Sequence, residues 1–206
     1  QERAAVATDI SSYKMATMTY RFEPNTHEYW IESRRVPSVT QILHAVIGEP
    51  YKASDWYLQR GRAVHACCAL LARGAEFEHD PRIAGQVSAC RVFLSDFQCE
   101  IREIEIPLFY TLFQYAGPPD LLVAYAGRRC VIDYKAYLSP MVELQLGGYS
   151  ELTGCEYGIG VELRGNGTYS TTGLKRLSQA RREFLSLRTT YGILERLGRL
   201  PSQEEL

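Results

Sequence analysis

The strongest constraint on the fold is a pair of apolar segments separated by a short break that contains glycine. Residues 121–125 (LLVAY) and 129–134 (RCVIDY) are rich in Leu, Val, Ile and Tyr, and Ala126-Gly127 lies close between them. These residue types favour β-strands, and a two-residue connection that contains glycine favours a tight turn. The sequence therefore predicts a β-hairpin near the middle of the chain.

The turn also fixes which residues of the hairpin face each other. If Ala126 and Gly127 form the loop, pairing counts back along both strands until Asp120 lies opposite Asp133. Side chains alternate along a strand, so Lys135 shares a face with Asp133. Two carboxylates bind a hard cation through oxygen, and a lysine beside them can neutralise charge on a phosphate or orient water. An Asp-x-Lys at a strand end is also a common solvated surface pair. The neighbouring segments are therefore needed to distinguish a catalytic site from a surface pair.

Four short segments occur around this hairpin in an order that is typical of one enzyme family. They are GRAVH (61–65), AGPPD (116–120), VIDYK (131–135) and QLGGY (145–149). Together they resemble the PD-(D/E)XK nucleases, and in particular the RecB-like and phage recombination exonuclease branch. The similarity extends to VPSVTQIL (36–43). The chain departs from the family at Pro118-Pro119, where relatives usually carry a less rigid pair.

The resemblance implies an α/β, restriction-endonuclease-like fold with a mixed central sheet flanked by helices. Residues 19–206 would form a single nuclease domain, which agrees with a chain of 206 residues that is 46% hydrophobic. Residues 1–18 show no regular pattern. They are interpreted as a tag remnant, a trimmed end or a disordered N-terminal arm.

The resemblance also implies a divalent-metal site at the open end of the hairpin. Asp120 and Asp133 would bind Mg²⁺ or Mn²⁺, and the carbonyl of Tyr134 would complete the metal shell. Lys135 would position or activate the water that attacks phosphorus in line with the leaving group. The expected function is a metal-dependent DNA nuclease, with exonuclease activity in recombination or repair.

His65 lies within a helix that is predicted to begin after Ser54 and to end near Arg73-Gly74. A histidine on a helix packed against a sheet is more often a hydrogen-bonded core residue than a ligand. The family pattern G-x-x-x-H, matched by Gly61 and His65, instead implies a metal ligand. Gly61 costs a helix about 1 kcal/mol relative to alanine, and we attribute it to close approach of the helix to the sheet.

Residues 101–110 are predicted to form one strand, with Glu103 and Glu105 on the same face. Two like charges on a strand face are usually solvated. In similar nucleases, however, an acidic residue on the strand before the aspartate contributes to the site. Glu105 is the better match by position.

Ser139-Pro140 predicts the start of a helix, with Ser139 as N-cap, and Gly154 its end. Gln145 and Tyr149 lie four residues apart on this helix and therefore share a face. Core packing would explain Tyr149, whereas Gln145 requires a polar partner. The resemblance implies that the pair supports the active site and the substrate backbone.

Local patterns predict the remaining elements. They are a hairpin over residues 19–32, a short helix capped by Ser38, an amphipathic helix over 83–97, a hairpin around residues 164–167 and a helix from about Leu174 to Leu197. The last helix carries several basic residues outside its apolar stripe, and a solvated face and DNA contact are equally good interpretations of Lys175, Arg176, Arg181, Arg182 and Arg188.

The composition of the chain limits the kinds of ligand and partner that it is expected to bind. The net charge of −1 gives no overall attraction to DNA. The six cysteines form no C-x-x-C pair, which argues against zinc and iron–sulfur sites. No stretch approaches the about 18 consecutive apolar residues of a membrane span, and no signal peptide is evident, so a cytoplasmic protein without membrane contact is expected.

The expected substrate is DNA with an end, either linear duplex or single strand. A homo-oligomer and a single-strand annealing partner both remain open. The alternative function is a non-catalytic nucleic-acid-binding subunit that retains the nuclease fold, and a preference for RNA also remains open because no base-reading motif is present. The intact set of Asp120, Asp133 and Lys135 favours the enzyme.

Overall fold

A computed structural model describes residues 18–24, 26–48 and 54–201. The predicted N-terminal arm lies outside the described residues except for its last residue, and so does Asn25 of the first predicted turn. In chain order the elements are β1 (Tyr20–Glu23), β2 (Glu28–Ile31), β3 (Arg34–Val36), α1 (Val39–Ile47), α2 (Asp55–Ala72), α3 (Ala84–Asp96), β4 (Glu100–Ile104), β5 (Leu108–Tyr110), β6 (Tyr115–Gly117), β7 (Leu121–Tyr125), β8 (Arg128–Lys135), α4 (Met141–Thr153), β9 (Tyr157–Leu163), β10 (Tyr169–Thr171), β11 (Lys175–Arg176) and α5 (Ser178–Arg196).

The central sheet has the strand order β10-β9-β8-β7-β4, and β11 adds to the end of β9. Strands β8 and β9 are parallel, whereas the other neighbours in this sheet are antiparallel. Parallel neighbours need a crossover connection, and α4 supplies it between β8 and β9. Smaller sheets, β1-β2-β3 and β5-β6, lie outside the central one.

The predicted hairpin register is confirmed. Strands β7 and β8 pair from Tyr125 opposite Arg128 to Leu121 opposite Ile132. Ala126 and Gly127 both have positive φ, +49° and +72°, as a type I′ turn requires. One further step of this register leads from Leu121 and Ile132 to the two aspartates.

The two faces of the central sheet pack against different helices. On one face Cys130, Ile132 and Tyr134 join a core that includes Cys68 of α2 and Phe93 of α3. On the other face a second core carries the residues Leu122, Val131, Leu146 and Phe184, of which the last two belong to α4 and α5. The predicted α/β class, with a mixed central sheet flanked by helices, is confirmed.

Helices α4 and α5 meet with almost no side-chain material between them at one point. A Cβ atom added to Gly147 would lie 2.4 Å from the carbonyl carbon and oxygen of Ala180. Real Cβ atoms do not approach backbone so closely, so only glycine allows this contact. The spacing of α4 from α5 therefore depends on Gly147.

The single strand predicted over residues 101–110 is wrong. Strand β4 belongs to the central sheet and β5 to the separate β5-β6 sheet. Between them Glu105 has a φ of +51°, which leaves the extended conformation, and Pro107 has no backbone N–H to continue a ladder. Glu103 and Glu105 therefore do not share a strand face.

The N-cap predicted for α4 is also wrong. Ser38 does cap α1, accepting a hydrogen bond from the backbone N–H of Gln41. Ser54 stands at the N-cap of α2 but makes no side-chain capping hydrogen bond. At α4 the N-cap position is Pro140 rather than Ser139, and no side chain caps this end.

The last helix begins at Ser178, four residues later than predicted, because Lys175 and Arg176 pair with β9 as β11. The predicted basic face is wrong at Arg188, whose side chain is buried and donates a hydrogen bond to the carbonyl of Gln114. Arg181 forms an ion pair with Glu151. Arg188 is therefore absent from any open basic surface, whereas Arg181 remains exposed with its charge compensated by Glu151.

The six cysteines are free thiols. All are buried apart from Cys99, which is half-buried. Among the described residues, no helix combines the length and the apolar composition that crossing a membrane requires.

Candidate active site

Two buried carboxylates lie at the open end of the β7-β8 hairpin. Asp120 immediately precedes β7, and Asp133 lies in β8, with 9% and 2% of their surfaces exposed. The backbone N–H of Tyr134 donates to Asp120 Oδ2 at 2.6 Å. This bond fixes the Asp120 carboxylate beside the backbone of β8, so the sheet itself brings the two acids together.

His65 of α2 contacts the other carboxylate oxygen of Asp120. Its Nδ1 lies 2.8 Å from Asp120 Oδ1. Burial raises the pKa of Asp120, but the charge and hydrogen bond of His65, together with the charge of Lys135 and the hydrogen bond from the Tyr134 backbone, hold this pKa below its usual value. Burial in turn lowers the pKa of His65, and Asp120 outweighs it, so the His65 pKa is raised. Each group therefore favours the charged form of the other.

Asp133 is held by two different partners. Lys135 forms an ion pair with its Oδ2 atom, and Gln145 Nε2 lies 3.3 Å from its Oδ1 atom as a hydrogen-bond donor. Burial is the main cause that raises the pKa of Asp133. Lys135 opposes this effect and the charge of Asp120 adds to it, so the pKa remains raised. Two adjacent buried carboxylates resist carrying two negative charges at once.

The predicted pair on α4 lies at this site. Gln145 Nε2 also donates to Tyr149 Oη at 3.0 Å, and both side chains are buried. The tyrosine ring packs against Gly117, the last residue of β6, where an added Cβ would lie 3.1 Å from the ring. Gln145 is therefore oriented toward Asp133 by a neighbour that is itself fixed by packing.

Glu105 lies beside Asp120, although not through the strand face that was predicted. Its backbone N–H donates to the carbonyl of Asp120 at 3.1 Å. Burial, followed by the charge of Asp120, raises the pKa of the Glu105 side chain. A non-glycine residue at positive φ costs about 1–3 kcal/mol, so the surrounding structure has to stabilise this conformation.

The donor chemistry of the site suits a hard divalent cation, since carboxylate oxygens predominate and a cation would relieve the repulsion between Asp120 and Asp133. Each donor, however, already has a partner within the protein: His65 holds Asp120, and Lys135 holds Asp133. Within the described ranges no group of three His, Cys, Asp or Glu side chains is arranged to hold a metal ion. A bound cation would have to exchange with these internal partners.

A cleft of about 370 Å³ opens beside the site. Its wall includes residues that the sequence did not single out, among them Tyr57, Arg60 and Arg164. The helical spacing of Tyr57, Arg60 and Gly61 from His65 is a signal that could have identified the α2 part of this wall.

The predicted reason for Gly61 is wrong. A Cβ atom added to Gly61 would find no atom within 4 Å, so the helix does not approach the sheet at this position. Gly61 instead lines the cleft. The glycine leaves space rather than permitting a backbone contact.

Replacing Gly61 by alanine is therefore expected to raise the free energy of unfolding by about 1 kcal/mol, the helix-propensity difference between the two residues. Chemical denaturation of both proteins measures this change. Gly147→Ala is the matched control, because the same substitution in α4 meets backbone and should destabilise the protein. A destabilised Gly61→Ala variant would contradict the open environment of Gly61.

Comparisons with known proteins concern the fold. No protein-family model and no curated protein sequence matches the chain. An alkaline exonuclease from Laribacter hongkongensis is similar over 77% of this chain and 86% of its own, with 13% identity and a TM-score of 0.46. Its complex with dAMP is similar over 80% and 92%, with 14% identity and a TM-score of 0.43. A phage-related exonuclease from Haemophilus somnus 129PT is similar over 79% and 96%, with 13% identity and a TM-score of 0.40. The reaction therefore has to be inferred from the chemistry of the site.

Proposed function

We propose that this chain is a divalent-metal-dependent nuclease that hydrolyses phosphodiester bonds in DNA, with an exonuclease role in recombination or repair. The observation that supports it is the buried pair of Asp120 and Asp133, with Lys135 bound to the second acid beside an open cleft. Burying two adjacent carboxylates is costly for stability, so their presence in a cleft favours a functional role.

In this proposal Asp120, Asp133 and the carbonyl of Tyr134 hold Mg²⁺ or Mn²⁺, with His65 as a further ligand. When bound, the ion supplies positive charge that stabilises the phosphate in the transition state and acidifies water. Lys135, whose side chain is 24% exposed and lines the cleft, orients the attacking water and compensates charge on the phosphate.

Positioning is the task of the residues around the acids. Gln145 keeps the carboxylate of Asp133 in one orientation through its hydrogen bond, and Tyr149 keeps Gln145 in place. Glu105 adds a further carboxylate beside Asp120, close enough for the charge of Asp120 to raise its pKa. Such fixed dipoles and charges lower the reorganisation required during the reaction.

Incubation with linear and covalently closed circular DNA, each with Mg²⁺, Mn²⁺ or EDTA, tests the function. Degradation of the linear DNA alone, dependent on a divalent ion, is the expected result. Cleavage of the closed circle would identify an endonuclease instead. An absence of metal-dependent cleavage on DNA and RNA would favour the non-catalytic binding subunit.

Replacing His65 by alanine is expected to weaken Mn²⁺ binding more than Mg²⁺ binding. An imidazole nitrogen in a site of oxygen ligands favours Mn²⁺, and alanine removes that nitrogen. Titration calorimetry with each ion measures the change without any substrate.

His79→Ala, which removes an exposed histidine that does not line the cleft, serves as the matched control and should leave both affinities unchanged. Equal weakening of both ions by His65→Ala would mean that His65 acts only as the hydrogen-bond partner of Asp120. The nuclease proposal would survive that result.

A further inference from the structure

The cleft beside the site has one wall formed by a regular stripe of α2. The stripe begins at Tyr57 and continues with the residues three, four, seven and eight positions later, which share one helix face. These residues, which all line the cleft, are Arg60, Gly61, Val64 and His65. At 1.5 Å per residue the stripe extends for about 12 Å from Tyr57 to His65. It therefore leads from an aromatic ring near the start of the helix to the carboxylate site.

The wall of the cleft carries cationic side chains. They are Arg60, Lys135 and Arg164, and none of the described residues that line the cleft is acidic. Lys135 and Arg164 are paired with Asp133 and Glu162, which do not line it, so Arg60 is the cation on which the argument depends. The net charge of the chain is −1, so this distribution is local rather than a property of the whole surface. An anionic ligand suits such a wall.

Tyr57 presents an aromatic surface at the outer end of the stripe. About half of the residue is exposed (54%), and the guanidinium carbon of Arg60 lies 4.8 Å from the centroid of its ring. An aromatic ring with an adjacent arginine can stack a base and bind its phosphate at the same time.

We propose that this cleft holds a single nucleic-acid strand, with a base stacked on Tyr57 and the backbone passing over Gly61 to the site at Asp133. This inference rests on the proposed function, since it names the form of the substrate for the same site. Inside a duplex both faces of each base are covered by its neighbours, so successive bases are free to enter the cleft only from a single-stranded end or overhang.

Gly61 explains why the path is open. No atom lies within 4 Å of the position that a side chain would begin to occupy, although glycine is unfavourable inside a helix. A strand that crosses α2 at this point meets backbone instead of a side chain. Gly61 thus makes the helix less stable but leaves space for the ligand.

Fluorescence anisotropy with a labelled single-stranded oligonucleotide in EDTA tests the inference, because cleavage is suppressed while stacking and phosphate contacts remain. Tyr57→Ala is expected to weaken binding by about 5- to 150-fold, the range of a base–aromatic stack, and Tyr57→Phe to retain it. Arg60→Ala should lower the slope of log affinity against log salt by about 0.7, the value for one phosphate on a single strand.

Arg128→Ala is the matched control for Arg60→Ala. Arg128 also lies over a tyrosine ring, that of Tyr157, at 4.6 Å, but it belongs to the turn end of the hairpin, away from the acids. Its replacement should leave strand affinity and salt slope unchanged. An equal loss in both arginine variants would overturn the inference, since it would indicate general electrostatic attraction.

Gly61→Ala separates a ligand path from a structural role. The variant should be more stable than the parent and yet bind the single strand more weakly, a combination that loss of folding cannot produce. Unchanged binding by both Tyr57→Ala and Gly61→Ala would overturn the inference even if the protein cleaves DNA. Strand binding that depends on Tyr57 without any cleavage would instead overturn the nuclease and leave the cleft assignment in place.

Discussion

Replacing Asp133 by asparagine is expected to reduce DNA cleavage by about 10²- to 10³-fold, the usual effect of removing one preorganised charged group from a reacting site. Asparagine retains the shape of aspartate but lacks the charge that would hold a divalent ion. Folding should survive because a neutral asparagine avoids the energetic cost of burying a negative charge, the same cost that raises the pKa of Asp133. Lys135, which loses its partner, lies at the cleft and can turn toward water. Cleavage rates with Mg²⁺ and a thermal melt measure the two effects.

Glu151→Gln is the matched control for Asp133→Asn. Glu151 is another buried acid with a cationic partner, Arg181, and it accepts a hydrogen bond from Tyr110 at 2.8 Å, outside the candidate site. Its replacement should leave the cleavage rate unchanged. An Asp133→Asn variant that cleaves as fast as the parent would remove the basis of the proposed function.

Replacing Lys135 by alanine should lower turnover by about 10²- to 10⁴-fold, the range for a side chain that positions or transfers a proton. The substitution leaves both carboxylates in place, so binding of Mn²⁺ should be largely retained. It also removes the cation that opposes burial at Asp133, so the pKa of Asp133 should rise further. Single-turnover cleavage and metal titration distinguish loss of chemistry from loss of the ion.

Lys175→Ala provides the comparison for Lys135→Ala. Lys175 also pairs with an acid, Glu143, at 3.0 Å, but both side chains are about half exposed and lie outside the cleft. This variant should cleave DNA at the parental rate. If Lys135→Ala retained full turnover, Lys135 would be only a counter-ion for Asp133.

The hairpin could be predicted because its determinants are local. Ala126 and Gly127 fix the turn, and a strand repeats every two residues, so the relative positions of Asp120, Asp133 and Lys135 follow from counting. The roles assigned to these residues remain predictions. The sequence predicted that these residues lie close together, and the register of the structure confirms this for Asp120 and Asp133.

The errors arose where distant contacts determine the conformation. The break at Glu105 is associated with a hydrogen bond to the carbonyl of Asp120, which no local pattern shows. Arg188 is buried because it donates to the carbonyl of Gln114, which lies 74 residues away along the chain. Gly61 posed a different difficulty, since helical periodicity cannot distinguish a glycine that contacts a neighbour from one that borders open space.

The contact between Gly147 and Ala180 allows α5 to affect the geometry of the candidate site at Asp133 without contacting it. Catalytic groups need to be held within about 0.5 Å of their productive positions. Gly147 lies two residues after Gln145, whose 3.3 Å hydrogen bond to Asp133 is already long and has little tolerance for displacement. A methyl group at position 147 would meet the Ala180 carbonyl at 2.4 Å and force the two helices apart. The hydrogen bond between Gln145 and Asp133 therefore depends on position 147 carrying a hydrogen atom instead of a side chain.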